Sequence, residues 1–364
     1  MFDEICNLEQ LLKAYSYARR GKREKKRVCE YDFSLESNLI KLRYLLLSDN
    51  YSPAPYAHFT VYDPKTRSVS APAFRDRVLQ HSLVSTIEPI FEKRFIYDSY
   101  ACRKGKGTHF GAKRIKKFLM AARCKYGKQQ DFYVLQCDIQ KYFQNIDWDI
   151  LLSIISKVIH CERTLNLIRK IIVTHESTDN SSVLPQMQRQ LDLFSQVQVE
   201  VPPVRIDERK GLPIGNLTSQ LFANVYLNEL DHFVKERLKE RWYARYMDDF
   251  LIIHPDKNHL IKTRDRIAEY LDQTLNLRLH PRKITIKNVQ EGVPFVGYRI
   301  FYDHTLVRGD TLRHMQRKYR YKTKLHQKGK ISDLTLAKSQ TSIQGHLKHA
   351  NAHGLYAFMT NNRV

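Results

Sequence analysis

Leu35, Leu39, Leu42 and Leu46 recur at helical spacing and predict a helix from Ser34 to Leu47, after a first amphipathic stretch over Leu8 to Ala18. Two short extended pieces follow, His58 to Tyr62 and Ser68 to Ala71, joined by a turn at Asp63-Pro64-Lys65. Phe74 to Phe95 is amphipathic and reads as a helix that Pro89 ends or kinks. Phe132 to Cys137 is an apolar run of strand length that stops at Asp138, and two helices, Trp148 to Ile159 and Thr164 to Val173, come next. His175 to Glu208 is polar and without a period, so it reads as a loop or insertion. A helix from Thr218 to Lys239 then presents one apolar face through Leu221, Val225, Leu230 and Phe233. Arg241 to Tyr246 and Phe250 to His254 are strand-like runs at hairpin spacing. A helix near Lys262 to Leu275, strands at Lys283 to Lys287 and Pro294 to Phe301, and a basic helix over Thr311 to His326 complete the pattern.

Composition narrows the class. Of 364 residues 42% are hydrophobic, with 13 Gly and 12 Pro, which builds a core and argues against a disordered chain. Lys+Arg 61 against Asp+Glu 38 leaves a net charge of +23, so a polyanion is the expected partner, either nucleic acid or an anionic membrane surface. No apolar run approaches the ~20 residues of a spanning helix. The start, Met1-Phe2-Asp3-Glu4, does not resemble a signal peptide, and a cytoplasmic protein with no membrane partner is expected. The six cysteines contain no C-x-x-C pair and read as reduced thiols. Basic residues cluster at Arg19 to Arg27, Arg103 to Lys128 and Arg313 to Lys330, the last interleaved with Tyr319 and Tyr321, which suits a nucleic-acid backbone with occasional stacking.

The aspartates carry the chemistry. Asp138 ends one apolar strand, and 110 positions later Asp248 and Asp249 sit at the tip of an apolar hairpin. Carboxylates there are costly unless something positive pairs with them. Oxygens without His or Cys nearby suit a hard cation such as Mg²⁺, and two such ions clamp the attacking and leaving oxygens of a phosphoryl transfer.

At these residues the chain resembles a family. Tyr246-Met247-Asp248-Asp249 is similar to motif C of reverse transcriptases, and Cys137-Asp138-Ile139-Gln140-Lys141-Tyr142-Phe143 to their motif A. Ile214-Gly215-Asn216-Leu217-Thr218-Ser219-Gln220 resembles motif B in the form shown by the reverse transcriptases of diversity-generating retroelements. Arg75 to His81 and Tyr100 to His109 resemble the same branch, and Pro294 to Arg299 resembles motif E.

The resemblance implies an α+β right-hand polymerase: N-terminal helices and fingers over 1–130, a palm with an antiparallel sheet and helices on one face over 131–302, and a small helical thumb over 303–364. It implies Asp138, Asp248 and Asp249 as catalytic metal ligands, joined by the backbone carbonyl of Ile139, with two Mg²⁺ ions or Mn²⁺ in their place. Phe143 falls on the steric-gate position that excludes a 2′-hydroxyl. Lys65, Arg67, Arg75, Ile214, Gly215 and Gln220 fall where the family contacts the incoming nucleotide, and Phe295, Val296, Gly297 and Tyr298 where it grips the primer. Lys283 or Lys287 could donate a proton to the leaving pyrophosphate.

The implied activity is RNA-directed DNA synthesis on a template RNA from deoxynucleoside triphosphates, passing through an RNA/DNA hybrid and error-prone at template adenines. A basic oligomeric accessory protein is the implied partner, and the implied setting is the cytoplasm of a bacterial, archaeal or phage-infected cell. Alternatives are a retron or phage-defence reverse transcriptase, a non-catalytic RNA-binding scaffold that kept the fold, and a two-metal nuclease, for which no His or Glu cluster speaks.

Overall fold

The computed structural model describes residues 1–62, 66–127, 129–173, 209–352 and 354–355. The expected turn at residues 63–65 and the polar insertion, His175 to Glu208, fall outside them. Two compact units form, each from two separated stretches of chain: residues 1–94 with 141–226, and residues 95–140 with 227–364.

The first unit opens with the helices Leu8–Ala18, Lys26–Phe33 and Leu35–Leu47. The leucine repeat turns inward: Leu39, Leu42 and Leu46 are buried, as are Leu11, Ala14 and Tyr15. Lys26–Phe33 lies in a basic cluster, yet Val28 and Tyr31 give it a buried face. Strands β1 (Ala57–Val61) and β2 (Arg67–Ala71) pair antiparallel, with His58 opposite Ser70. The helix Phe74–Glu92 runs through Pro89 instead of stopping there, because Ile87 and Phe91 on either side are buried and hold its last turn. From the second stretch come the helices Tyr142–Asn145, Trp148–Ser156 and Glu162–Val173. Asp147 caps Trp148–Ser156, accepting from the amides of Asp149 and Ile150.

The second unit holds a four-stranded antiparallel sheet in the order β4-β5-β3-β6, where β3 is Tyr133–Asp138, β4 Tyr243–Tyr246, β5 Asp249–His254 and β6 Thr285–Asn288. Helix Thr108–Tyr126 supplies Ile115, Phe118 and Leu119 to a core shared with Val134, Leu251, Ile253 and Trp242. The opposite parity, Leu135, Cys137, Phe250 and Ile252, is also buried, which is why β3 and β5 read as unbroken apolar runs. Helix Lys257–Leu275 packs on β3 and β5 through Leu260, Ile267 and Leu271.

Three expectations change here. The strand expected over Pro294 to Phe301 is two, β7 (Val293–Phe295) and β8 (Tyr298–Ile300), because Val296 and Gly297 both take positive φ and reverse the chain. A third strand, β9 (Thr305–Val307), completes that sheet. The helix expected to end at Lys239 is α-helical over Leu217–His232 and then loosens into a π-helical turn, Phe233–Arg237. The basic tail contains two helices, Gly309–Gln327 and Asp333–Leu347, the second carrying little charge and burying Ile343 and Leu347.

Candidate active site

β3 and β5 pair in a register that sets Asp138 directly opposite Asp249, so the two side chains leave the sheet on the same face. Asp138 is buried, and its Oδ2 accepts from Lys283 Nζ at 2.7 Å. Its backbone carbonyl accepts from the amide of His280 at 2.8 Å. Ile139 is buried and bridges to Leu279, which steadies the end of β3.

Asp249 opens β5 as an exposed residue, yet its carboxyl is displaced upward. Its pKa is pushed up to about 7, first because surrounding protein strips its water, then by the charge of Asp248 and by a hydrogen bond and repulsion from Asp138; Lys283 pulls weakly the other way. Asp138 and Asp249 thus both feel the Lys283 ammonium, with the charge of Asp248 acting on Asp249 as well.

The turn joining β4 to β5 is Met247-Asp248, with Met247 at φ 57. A residue other than glycine is uncommon there and needs support. Arg245 provides it from inside the sheet. Its Nη1 donates to the carbonyl of Met247 at 3.0 Å, while Nε and Nη2 form a two-pronged pair with Asp231 at 2.7 and 2.6 Å. Tyr243 and Ser99 complete the network, with the Tyr243 hydroxyl donating to Asp231 Oδ1. Both Arg245 and Asp231 side chains are 0% exposed. Neither residue was singled out from the sequence. The available signal was a lone charge inside the apolar run Trp242-Tyr243-Ala244-Arg245-Tyr246, since a buried charge demands a partner.

Among the described residues, no three His, Cys, Asp or Glu side chains stand together at metal-holding spacing. The donor set itself fits a divalent ion: carboxylate oxygens only, crowded, with excess negative charge that a hard cation relieves. Asp138 and Asp248 would hold it, with Asp249 beside them.

The residues expected to meet the nucleotide lie in the first unit, and most of them converge. The Ile214 carbonyl accepts from Ser70 N on β2 at 2.9 Å. Gly215 has φ +125, and a Cβ there would stand 2.8 Å from the Ser70 carbonyl oxygen, so this close approach admits only glycine. Asn216 donates to the Tyr56 hydroxyl, and Leu212 N to the Phe143 carbonyl at 2.7 Å. The loop is therefore stitched on one side to the short helix bearing Phe143 and on the other to the strand bearing Arg67, which is exposed. Gln220 is exposed one turn further on. Arg75 is committed locally: it donates to the Ser52 carbonyl and to Asp76, and lies over the Tyr51 ring. Lys65 lies outside the described residues.

In the second unit, Phe295 and Tyr298 are buried in the core, and Val296-Gly297 form the turn between β7 and β8. Val296 at φ 44 is a β-branched residue in the left-handed region, a strained position. Of the two lysines expected near the site, Lys283 reaches Asp138, whereas Lys287 is paired along β6 opposite Val134.

Fold and carboxylates together define a right-hand polymerase. The structure resembles that of apo telomerase from Candida Tropicalis truncated from its C-terminal domain, with a TM-score of 0.50 at 12% identity over 75% of this chain and 60% of that one. The model of the family "Reverse transcriptase (RNA-dependent DNA polymerase)" matches residues 62–300, and the chain belongs to that family. Protein YkfC of Escherichia coli is 28% identical over 71% of this chain and 70% of its own length. The group II intron-encoded protein LtrA of Lactococcus lactis is 26% identical over 55% of this chain, and nuclear intron maturase 1 of Arabidopsis thaliana 22% over 63%. The chain spans only 28% and 40% of those two relatives. RNA-directed DNA polymerisation is thus the chemistry of this enzyme class. Among the described residues no helix is long and apolar enough to cross a membrane.

Proposed function

We propose that this chain is the polymerase of a diversity-generating retroelement, copying a template RNA into cDNA with frequent errors opposite adenine. The observation that carries the branch is the segment Ile214 to Gln220, whose Ile-Gly-x-x-x-Ser-Gln form is docked on β2 through the Ile214 carbonyl and the close approach of Gly215. In this reading residues 1–130 are the N-terminal helices and fingers, 131–302 the palm and 303–364 the thumb. A basic accessory protein joins it as partner.

Two Mg²⁺ ions, when bound, supply the charge neutralisation that phosphoryl transfer to a primer 3′-hydroxyl needs. The chain's residues do the rest. Asp138 and Asp249 present their oxygens from adjacent strands, Asp248 adds its charge at the turn, and Arg245 fixes that turn. Lys283 keeps an ammonium 2.7 Å from Asp138, where it can give a proton to the departing pyrophosphate. Phe143 screens the sugar 2′ position, and Arg67, Ile214, Gly215 and Gln220 contact the nucleotide, whereas Arg75 braces the adjoining backbone at Ser52. Phe295 to Tyr298 grip the primer.

A second reading, a reverse transcriptase outside that branch, is favoured by the matches to intron-encoded proteins. Primer extension on an adenine-containing RNA, followed by product sequencing, separates the two. Substitutions concentrated opposite adenine support the retroelement. Accurate copying there assigns the second reading, and extension unaffected by Asp248→Asn removes both.

A further inference from the structure

Between Val134 and Asp138, β3 places one amide on an otherwise apolar face. Val134, Gln136 and Asp138 alternate onto the same side of the strand, opposite Ile253, Leu251 and Asp249 of β5. Val134, Leu251 and Ile253 join the core that also takes Val293, Phe295 and Tyr298 of the β7–β8 hairpin. An apolar side chain at 136 would serve that contact, and an amide there is costly unless it finds a partner. It does: Gln136 Nε2 donates to the carbonyl of Pro294 on β7.

The acceptor is placed to need a donor from outside its own sheet. β7 is an edge strand in the order β7-β8-β9, where proline is tolerated, and a proline offers no amide hydrogen. The hairpin is also held by packing, since a Cβ on Gly111 of the helix Thr108–Tyr126 would stand 3.2 Å from Phe295. Apolar packing sets how closely the layers approach, but it is non-directional. The hydrogen bond is directional and sets where along β3 the hairpin sits. Both of its arms are two residues long: Asp138 follows Gln136 by two positions, and Val296, at φ 44, follows Pro294 by two. Each arm is about 7 Å of extended chain, which leaves little slack.

We propose that Gln136 is a positioning residue for polymerisation. Through Pro294 it fixes the Val296-Gly297 turn relative to Asp138 and Asp249, and with it the place of the primer terminus beside those carboxylates. This rests on reading that turn as the primer contact. Gln136 meets neither nucleotide nor metal in this role; its effect passes through the hairpin. A reacting atom misplaced by about 1 Å can cost on the order of 100-fold in rate, so a single tether of this kind is worth having.

The test is single-turnover primer extension by the full chain on an RNA template, with primer–template saturating and deoxynucleotide varied. Gln136→Met keeps the length of the side chain and removes the donor. It should lower the maximal rate by about tenfold or more while leaving the half-saturating nucleotide concentration within about twofold, because the primer and not the nucleotide is displaced. Its urea midpoint should match that of the unmodified chain. Val296→Gly, which relaxes the turn, should also slow extension, and the two changes together should be no worse than about twofold beyond Gln136→Met, as expected of residues acting through one element. Penalties that multiply, a rate that falls only in step with the urea midpoint, or a weakened nucleotide dependence with the maximal rate intact overturns the proposal. Slowing by Val296→Gly with none by Gln136→Met rejects the role of Gln136 alone. Extension untouched by Val296→Gly rejects the primer reading of the turn, and this inference with it.

Discussion

The second unit holds two clusters of charge that meet at the β4–β5 hairpin, and they are built on opposite principles. Around Asp231 and Arg245 every charge is matched: two oxygens meet two nitrogens, Tyr243 fills a remaining lone pair, and water is excluded. Around Asp138 and Asp249 two carboxylates face one lysine, with the charge of Asp248 beside Asp249, and the mismatch shows in the raised pKa of Asp249. Matched buried charge specifies a shape. Mismatched charge at the ends of two inner strands suits a cation, and strongly perturbed carboxyls concentrate where chemistry is done. Arg245 links the two, because the same guanidinium that satisfies Asp231 also holds the Met247 carbonyl of the β4–β5 turn.

The comparison breaks first at the mismatched cluster. Asp138→Asn should lower primer extension by roughly a thousandfold or more, the scale on which losing electrostatic stabilisation of a transition state is felt. Asp249→Asn should abolish extension in the same assay yet stabilise the metal-free chain by about 0.5–2 kcal/mol in urea unfolding, since an active site strained by like charges trades stability for activity. Loss of stability in that variant would mean the cluster is not mismatched at all.

The matched cluster should respond in reverse. Arg245→Met leaves Asp231 buried and unpaired and should cost about 3–5 kcal/mol by denaturant unfolding, whereas adding Asp231→Leu should recover most of it. If the double variant recovers stability but not extension, the positioning role of Arg245 is separated from its structural one. In the first unit, Gly215→Ala should cost about 1–3 kcal/mol through its left-handed backbone and the Ser70 carbonyl in its way, read by the same unfolding measurement.

The smallest effect concerns charge that is avoided. Burial holds His346 near a pKa of about 4, below the ordinary 6.5, with His109 and His349 adding to the shift. The unfolded chain therefore binds the proton more readily, and stability present above pH 6.5 should be lost as pH falls from there through 4. His346→Gln should flatten that portion of the stability profile.

Much of the architecture was legible along the chain. The helix Leu8–Ala18 has the bounds its apolar period predicts, and the expected Ser34 to Leu47 is observed as Leu35–Leu47. Both cases depend on local spacing, which determines which face can be buried. The β4–β5 hairpin was legible too, because two apolar runs flank a short polar turn. Where burial overrode local preference, sequence reasoning stopped short: Pro89 sits inside a helix that Phe91 holds in place, and Val296 accepts a backbone conformation its side chain disfavours.

The amino-acid order by itself determined the family, the three acidic side chains and the strand ends that carry them, since these depend on residue type and spacing. Tertiary structure alone decided that Asp249 faces Asp138, that Lys283 and not Lys287 meets them, and that Arg245 reaches from Asp231 to the turn. Register between strands and pairing of charges distant in sequence arise only once the sheet closes, because a one-residue slip would send every side chain to the other face.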